Sequence, residues 1–339
     1  MNRPRQNGAG GAIGLLLLAS ILWGTTGTVA AQAPEVSPLA IGAASLGIGG
    51  LLQCAVGARR VWGDRSALVD NKGLVIFGGV AVMIYPLAFY SSMSLGGVAL
   101  GTVISLGTAP LFSGILERFA DGARLTVRWH AAAVLGIAGS ALLGFSRAAD
   151  SGGSGSGVVA GCLLGLVAGA SYACYSWATG RLIRAGIGRQ GAVGSVFGVG
   201  GLLLMPVLLF SGAPLLDSAQ NFMVAAYLAL IPMFLGYLAF GMALAKVPAS
   251  TATTVTLSEP AVAAALAVGL LSEHLGFTGW AGMALIAVAL LILLVWSPRN
   301  ICPIVSATAH QKSPKILRRR KSLRNLPSGS KRRANAMKS

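Results

Sequence analysis

Glu259 is the residue whose type and position point most clearly to chemistry. It falls at the middle of an apolar stretch, and no other acid and no Lys or Arg lies near the middle of any such stretch. A charged side chain at that depth of a bilayer costs about 2.5–3.5 kcal/mol on insertion scales. A carboxyl group shielded from water can load and release a proton near neutral pH, and it can bind a substrate amine. The alternative is structural, because a neutral Glu259 could donate to the carbonyl group that Pro260 leaves free one turn earlier.

Two threonines precede this acid at helical spacing. Thr253, Thr256 and Glu259 are spaced by three residues, which places them on one face of a helix. A polar face of this kind inside a membrane predicts the lining of a cavity. The alternative is that each threonine hydroxyl bonds to the backbone of its own helix, as is common in membranes.

Aromatic residues within or near the apolar stretches are the next candidates. Aromatic rings can wall a binding cavity and hold amines through cation–π contact, although interfacial belts and simple packing use the same residues. Trp23 and Tyr237 lie deepest, and with Tyr85 they are the predicted lining residues. The whole set is Trp23, Tyr85, Tyr90, Tyr172, Tyr175, Trp177 and Tyr237.

Prolines inside the stretches predict bends, because proline removes a helix hydrogen bond. These are Pro86, Pro110, Pro232 and Pro260, for which a gating role is a further hypothesis. The four cysteines are scattered without a CxxC pair, and His130 and His274 lie near stretch ends. We therefore expect no metal site and no cofactor.

Membrane helices must position these residues, since the 339-residue chain is 55% hydrophobic and 10% charged. This composition excludes a soluble enzyme or a disordered chain. A span needs about 20 apolar residues. Ten stretches meet that need, over residues 12–31, 37–58, 73–95, 96–116, 130–145, 158–179, 190–211, 222–244, 248–271 and 279–296.

The basic residues predict the orientation of the spans. With both termini in the cytoplasm, 25 of the 26 Lys and Arg residues lie inside and only Arg147 lies outside. Twelve of them belong to the tail 297–339, so the net charge of +17 does not indicate a nucleic-acid-binding domain. We expect the tail to be a disordered arm that touches anionic lipid. A cleaved secretory signal at the N-terminus is the rejected alternative, because another span follows closely.

A repeat divides the membrane portion at the Gly/Ser-rich linker 150–157. Leu87-Ala88-Phe89 recurs as Leu238-Ala239-Phe240 at an offset of 151 residues, and Pro110 recurs as Pro260 at an offset of 150. Five spans in each half force the halves into opposite orientations, which is a common plan of secondary transporters. The predicted fold is therefore an all-α integral membrane protein with ten transmembrane helices as two inverted five-helix repeats.

The chain resembles the drug/metabolite transporter superfamily, specifically its EamA family. The residues that carry the resemblance are Trp23-Gly24, Thr108-Ala109-Pro110-Leu111, Asp121-Gly122-Ala123-Arg124-Leu125, Ser258-Glu259-Pro260 and Ser272-Glu273-His274-Leu275. The family's Gly-Glu pair is incomplete in each half, because Gly122 lacks its Glu and Glu273 lacks its Gly. The resemblance implies five-helix repeats over 12–149 and 158–296, between an N-terminus of residues 1–11 and the basic tail, and export of amino acids, related metabolites or toxic compounds.

Together these features predict a multi-pass secondary transporter of the cell membrane, the inner membrane in a Gram-negative cell. Its expected partners are a small-molecule substrate, membrane lipid and a proton carried by Glu259, without nucleic acid. A passive channel or a non-transporting membrane protein is the alternative. A membrane-embedded enzyme is disfavoured, because only one carboxylate lies deep.

Overall fold

The computed structural model describes residues 7–148, 155–271 and 276–295, and these ranges are helical without strands. Helices are expected because a bilayer core offers no water to unpaired backbone groups. The first half contains α1 (Asn7–Gly24), α2 (Thr26–Ala30), α3 (Pro38–Gly42), a π-helical segment (Ala43–Ile48), α4 (Gly49–Gly63), α5 (Arg65–Asp70), α6 (Lys72–Gly96), α7 (Val98–Ala120) and α8 (Val127–Ala148).

The second half repeats this helical organisation. It contains α9 (Gly155–Arg184), α10 (Arg189–Ser211), a 3₁₀ turn (Ala213–Leu216), α11 (Ala219–Leu228), a second π-helical segment (Ala229–Gly236), α12 (Tyr237–Leu244), α13 (Ala249–Val255), α14 (Ser258–Leu271) and α15 (Phe277–Val295).

Six helical stretches are long and apolar enough to cross a membrane. They are Gly10–Ala30, Pro38–Gly63, Lys72–Gly96, Gly157–Arg184, Arg189–Ser211 and Ala219–Leu244, with shorter apolar helices at Val127–Leu142 and Phe277–Leu293. Helices α7 and α13–α14 occupy the two remaining predicted positions. The count of ten spans stays a prediction.

Several predicted spans are not single α-helices. The first is interrupted at Thr25, and the ninth is interrupted at Thr256 and Leu257. The second and eighth contain the π-helical segments, where the hydrogen-bond ladder widens. In the eighth the π segment contains Pro232, whose missing N–H disturbs an α-helical ladder.

Some predicted connections also differ from the structure. The loop predicted between Arg59 and Lys72 is mostly helical, because α4 continues to Gly63 and α5 follows it. Residues 155–157 of the predicted linker begin α9. Residues 1–6, the rest of the linker, Glu273 and His274, and the predicted tail from 297 lie outside the described residues.

Glycines set how closely the helices approach. In α4, a Cβ added to Gly50 would collide with the Phe197 carbonyl oxygen, and one added to Gly57 would lie 2.5 Å from the Gln190 carbonyl oxygen. Because the contact runs to lower numbers on α10 as it rises on α4, the two helices are antiparallel. The Gly161-x₃-Gly165-x₃-Gly169 face of α9 likewise packs within the chain, against α6 and α7.

The main contacts between helices of the two halves have counterparts in which the equivalent helices of the opposite halves meet. Helix α6 packs on α9, and the equivalent eighth span packs on α1 through α12. Helix α7 packs on α9, and the equivalent α14 packs on α1. Two further contacts, between α4 and α10 and between α8 and α15, each join a span to the equivalent span of the other half. This pattern is what two related halves facing each other would produce.

The glycine contacts generate a stability prediction. Gly50→Ala should destabilise the protein by about 1–3 kcal/mol, because the methyl group overpacks a backbone contact that cannot move away cheaply. Gly14→Ala is the matched control, since a Cβ there meets nothing within 4 Å. Thermal unfolding of the two variants in detergent measures the difference. Equal melting temperatures for both variants would contradict the close α4–α10 approach.

Candidate functional site

The two interrupted spans meet, and the candidate site forms at that meeting. Helix α1 ends at Gly24, where an added Cβ would lie 3.0 Å from Val262 Cγ1 and 3.3 Å from the Ala263 backbone nitrogen of α14. At the interruption, Thr25 Oγ1 donates to the Leu22 carbonyl oxygen at 2.7 Å. The distances at Gly24 are shorter than most Cβ contacts, so a glycine at position 24 favours the close approach of α1 and α14.

The interruption of the ninth span follows from Pro260. Proline cannot donate to the Thr256 carbonyl oxygen, and the Glu259 backbone N–H reaches that oxygen instead, at 3.0 Å. Helix α14 therefore starts afresh at Ser258, with Glu259 in its first turn. The carbonyl group that Pro260 leaves free thus accepts from a backbone donor, and the choice between a functional and a structural role for Glu259 stays a prediction.

A cavity of about 80 Å³ lies against this junction, large enough for several water molecules. Trp23 and Thr26 line it from the first span, and Phe89 and Met93 line it from the end of α6. The start of α7 contributes further apolar side chains and Thr102, and α14 contributes Glu259 and Pro260. These are the late parts of α1 and α6 and the early part of α7, so the cavity opens at one end of the bundle, here called the cavity end.

Glu259 has no partner for its carboxylate. The residue is 7% exposed, and no hydrogen bond or ion pair to its side chain exists among the described residues. No Lys, Arg or His of that part of the chain lines the cavity either. A buried acid must be neutralised or paired, so Glu259 can hold a proton or a cation that enters the cavity.

The predicted threonines lie behind the cavity rather than in its lining. Thr256 Oγ1 bonds to the Thr253 carbonyl oxygen at 3.0 Å and to the Tyr172 hydroxyl at 3.0 Å. Thr253 Oγ1 donates to the Ala249 carbonyl oxygen at 2.9 Å. The alternative of bonding within their own helix is therefore what the structure shows. The face predicted to join both threonines to Glu259 is also divided by the helix interruption.

Six of the seven predicted aromatic residues belong to one buried cluster, of which Trp23 reaches the cavity, whereas Trp177 packs on Phe77. The ring centroids of Trp23 and Tyr237 are 4.8 Å apart, and the hydroxyls of Tyr237 and Tyr175 are 2.6 Å apart. Tyr85 stacks on Phe89, a cavity residue, at 5.5 Å. Tyr85 and Tyr237 thus lie one layer behind the lining and hold Trp23 and Phe89 in place.

The prolines have different surroundings. Helices α6 and α7 continue through Pro86 and Pro110. The Pro232 carbonyl oxygen accepts a hydrogen bond from Trp23 Nε1 at 2.9 Å, which fixes the indole at the cavity. Pro260 lines the cavity itself. The gating role of all four stays a prediction.

A second polar cluster, which the sequence analysis missed, joins the halves at the opposite end, here called the charged end. Asp121 forms ion pairs with Arg181 at 2.7 Å and Arg184 at 3.0 Å, and it accepts a hydrogen bond from Trp177 Nε1 at 2.8 Å. The available signal was the presence of two acids, Glu117 and Asp121, four residues apart at a span end in a chain with only nine acids.

Glu117 forms the second link at the charged end. It is 3% exposed, and its carboxylate accepts from the Ser250 backbone N–H at 3.1 Å and from the Ser250 hydroxyl at 2.5 Å. Asp64 adds a third link, because it accepts from the Gly188 backbone N–H at 2.9 Å. All three links connect the first half of the chain to the second.

Gln53 is another buried polar residue without a predicted role. Its Nε2 donates to the Phe234 carbonyl oxygen at 2.6 Å, inside the second π-helical segment. The same carbonyl oxygen also accepts from the Tyr237 backbone N–H, so Gln53 adds a second donor at the end of the irregular segment. The signal in the sequence was an amide in the middle of an apolar stretch.

Across the described ranges, no group of three His, Cys, Asp or Glu side chains is placed to hold a metal ion. Among the buried or bonded acids of these ranges, Glu259 lies at the cavity, whereas Glu117, Asp121 and Asp64 are bonded at the charged end. Such a division suits the binding and movement of a solute.

A cavity with one acid, inside a bundle of apolar helices, is an arrangement that a membrane transporter can use. The comparisons agree, because the sequence matches the EamA-like transporter family over residues 10–145 and again over 159–295. The chain therefore belongs to the EamA-like transporter family, within the drug/metabolite transporter superfamily.

Individual relatives support this assignment. An uncharacterized transporter of Bacillus subtilis (strain 168), YwfM, is 35% identical over 281 residues, which are 82% of this chain and 92% of that protein. One solved crystal structure covers 84% of this chain and 96% of its own, with a TM-score of 0.68 and 20% identity, which shows a shared fold. The protein is thus a multi-pass membrane protein of a transporter family.

Proposed function

We propose that this protein is a secondary transporter that exports small metabolites, amino-acid-like compounds or drugs by alternating access. The observation that carries the proposal is the difference between the two ends of the bundle. A cavity with a buried, unpartnered Glu259 lies at one end, whereas ion pairs and hydrogen bonds join the two halves at the other. A carrier that is open at one side and closed at the other has this arrangement.

The two halves act as inverted repeats in this proposal. The double family match and the exchange-related helix contacts support their kinship. Opposite orientation of the halves in the membrane would give the inward-open and outward-open states comparable energies, since each half can adopt the conformation of the other. Rocking of one half against the other would then transfer the site from one side to the other.

The charged end faces the cytoplasm in this proposal, as do both termini. Arg181, Arg184 and Arg189 lie at or near that end, and cytoplasmic loops retain basic residues. The cavity would then open outwards, so the present conformation is the one that releases an exported solute and takes up a proton at Glu259.

Glu259→Gln tests the proton step. We expect loss of proton-driven transport with normal insertion and folding, because the amide keeps the shape of the side chain and cannot exchange a proton. A resistance screen in overproducing cells identifies a solute, and its transport in proteoliposomes is then measured across pH. Glu35→Gln is the matched control, since Glu35 is exposed and lies outside the cavity lining. Full activity of Glu259→Gln at every pH would remove Glu259 from the mechanism.

Asp121→Asn tests the closure of the charged end. The side chain of Arg181 is 41% exposed and that of Asp121 is 19% exposed, so the pair contributes about 1 kcal/mol or less. Loss of that contribution should raise the population open at this end by up to about fivefold. A cysteine placed at buried Ser113, in a chain without its native cysteines, reports the opening through its labelling rate.

Asp70→Asn is the control for this measurement, because Asp70 is exposed on α5 at the same end of the bundle. Faster labelling in Asp121→Asn alone is the expected result. Equal labelling rates in both variants would separate Asp121 from closure.

Removal of residues 300–339 should leave transport intact. The family match ends at residue 295, so the tail is not part of the duplicated transport unit. Uptake or efflux by the truncated protein, normalised to the amount inserted in the membrane, measures this. A truncated protein that is inserted normally but inactive would assign the tail a role in transport.

A further inference from the structure

We infer that the cavity binds a monovalent organic cation, namely an amine with a small apolar body, in preference to a zwitterionic amino acid or an organic acid. This inference rests on the proposed function and narrows its substrate class. It depends on three properties of the cavity: the charge of its lining, the hydrogen-bond donors of α14 and the nature of its walls.

The lining carries one negative charge and no positive one. Glu259 is the acid of the lining, and Lys, Arg and His are absent from it among the residues described. A cation that binds beside Glu259 completes a neutral pair, and both charges are then compensated in a site of low polarity. A bound amino acid would add a carboxylate that no basic side chain of the lining neutralises.

The start of α14 does not offer an anion site either. Helix N-termini bind anions through free N–H groups, but here the Glu259 N–H is bonded to the Thr256 carbonyl oxygen, and Pro260 has no N–H. The Glu259 carboxylate also lies in the first turn, where its charge already complements the helix dipole. The interruption of the ninth span therefore favours a cation beside it.

The walls suit the rest of an amine. Met93, Val98 and Val103 are apolar, and the rings of Trp23 and Phe89 can face a cation. The indole N–H of Trp23 is held by the Pro232 carbonyl oxygen, so the tryptophan offers its ring rather than a donor. Thr26 also lines the cavity, and its Oγ1 is buried without a hydrogen-bond partner, so rotation of this side chain would give an ammonium N–H an acceptor.

Three solutes with the same branched alkyl group test the inference. Isoamylamine carries an ammonium group, leucine carries an ammonium group and a carboxylate, and isovalerate carries a carboxylate. Their binding to the full-length protein is measured by titration in detergent at neutral pH. We expect isoamylamine to bind about tenfold more tightly than leucine, or better, and isovalerate to bind more weakly still. Leucine or isovalerate binding as tightly as isoamylamine would overturn the inference, and so would binding of none of the three.

Variants locate the binding and separate it from the transport proposal. Glu259→Gln should weaken isoamylamine binding by about tenfold or more, Thr26→Val by a smaller factor, and Glu35→Gln not at all. A normal melting temperature of each variant without ligand excludes misfolding as the cause. Unchanged affinity in Glu259→Gln would overturn the inference.

Flux in proteoliposomes supplies the second readout. Isoamylamine binding without any Glu259-dependent flux would contradict the transporter proposal and leave the ligand class intact. Saturable exchange of leucine but not of isoamylamine would contradict the ligand class and leave the transporter proposal intact.

Discussion

The burial of the Glu259 carboxylate without a partner is the constraint on which the site depends. An acid shielded from water is tolerated where a proton or a cation can neutralise it, so the surrounding structure must keep a cavity beside it. Three features maintain that cavity: Gly24 lets α1 approach α14, Pro260 restarts the helix at the acid, and Pro232 anchors the indole of Trp23. Each is a local departure from a regular helix, and together they place irregular backbone where it borders a cavity.

The two ends of the bundle use different chemistry. The cavity end relies on one acid and aromatic walls, and the aromatic cluster behind them fills the interior between the halves. The charged end relies on ion pairs that are partly exposed and on buried hydrogen bonds of Glu117. Partly exposed ion pairs are weak, so they can close an end of the bundle and still separate at modest cost.

Sequence patterns predicted the helical class, the approximate helix positions and the family, whereas the role of Glu259 stays a prediction. They succeeded because apolar length and the rarity of charge are strong signals in a membrane chain. They missed the interruptions at Thr25 and Thr256, because hydropathy does not record how a hydrogen-bond ladder is satisfied. They also missed Glu117 and Asp121, since a contact between residues 60 or more positions apart has no local pattern.

The interruptions have a consequence for the proposed exchange of conformations between the halves. Spans one and nine are broken in this structure, whereas their counterparts in the other half, α9 and α7, run unbroken. If the halves trade conformations, the breaks must migrate as well. Helix α7 would then unwind beside Pro110, the counterpart of Pro260, and α14 would fuse with α13 into one rod. In the proposed exchange of access states, one helical joint would thus unwind while another forms, so the backbone itself would change as well as the relative positions of rigid helices.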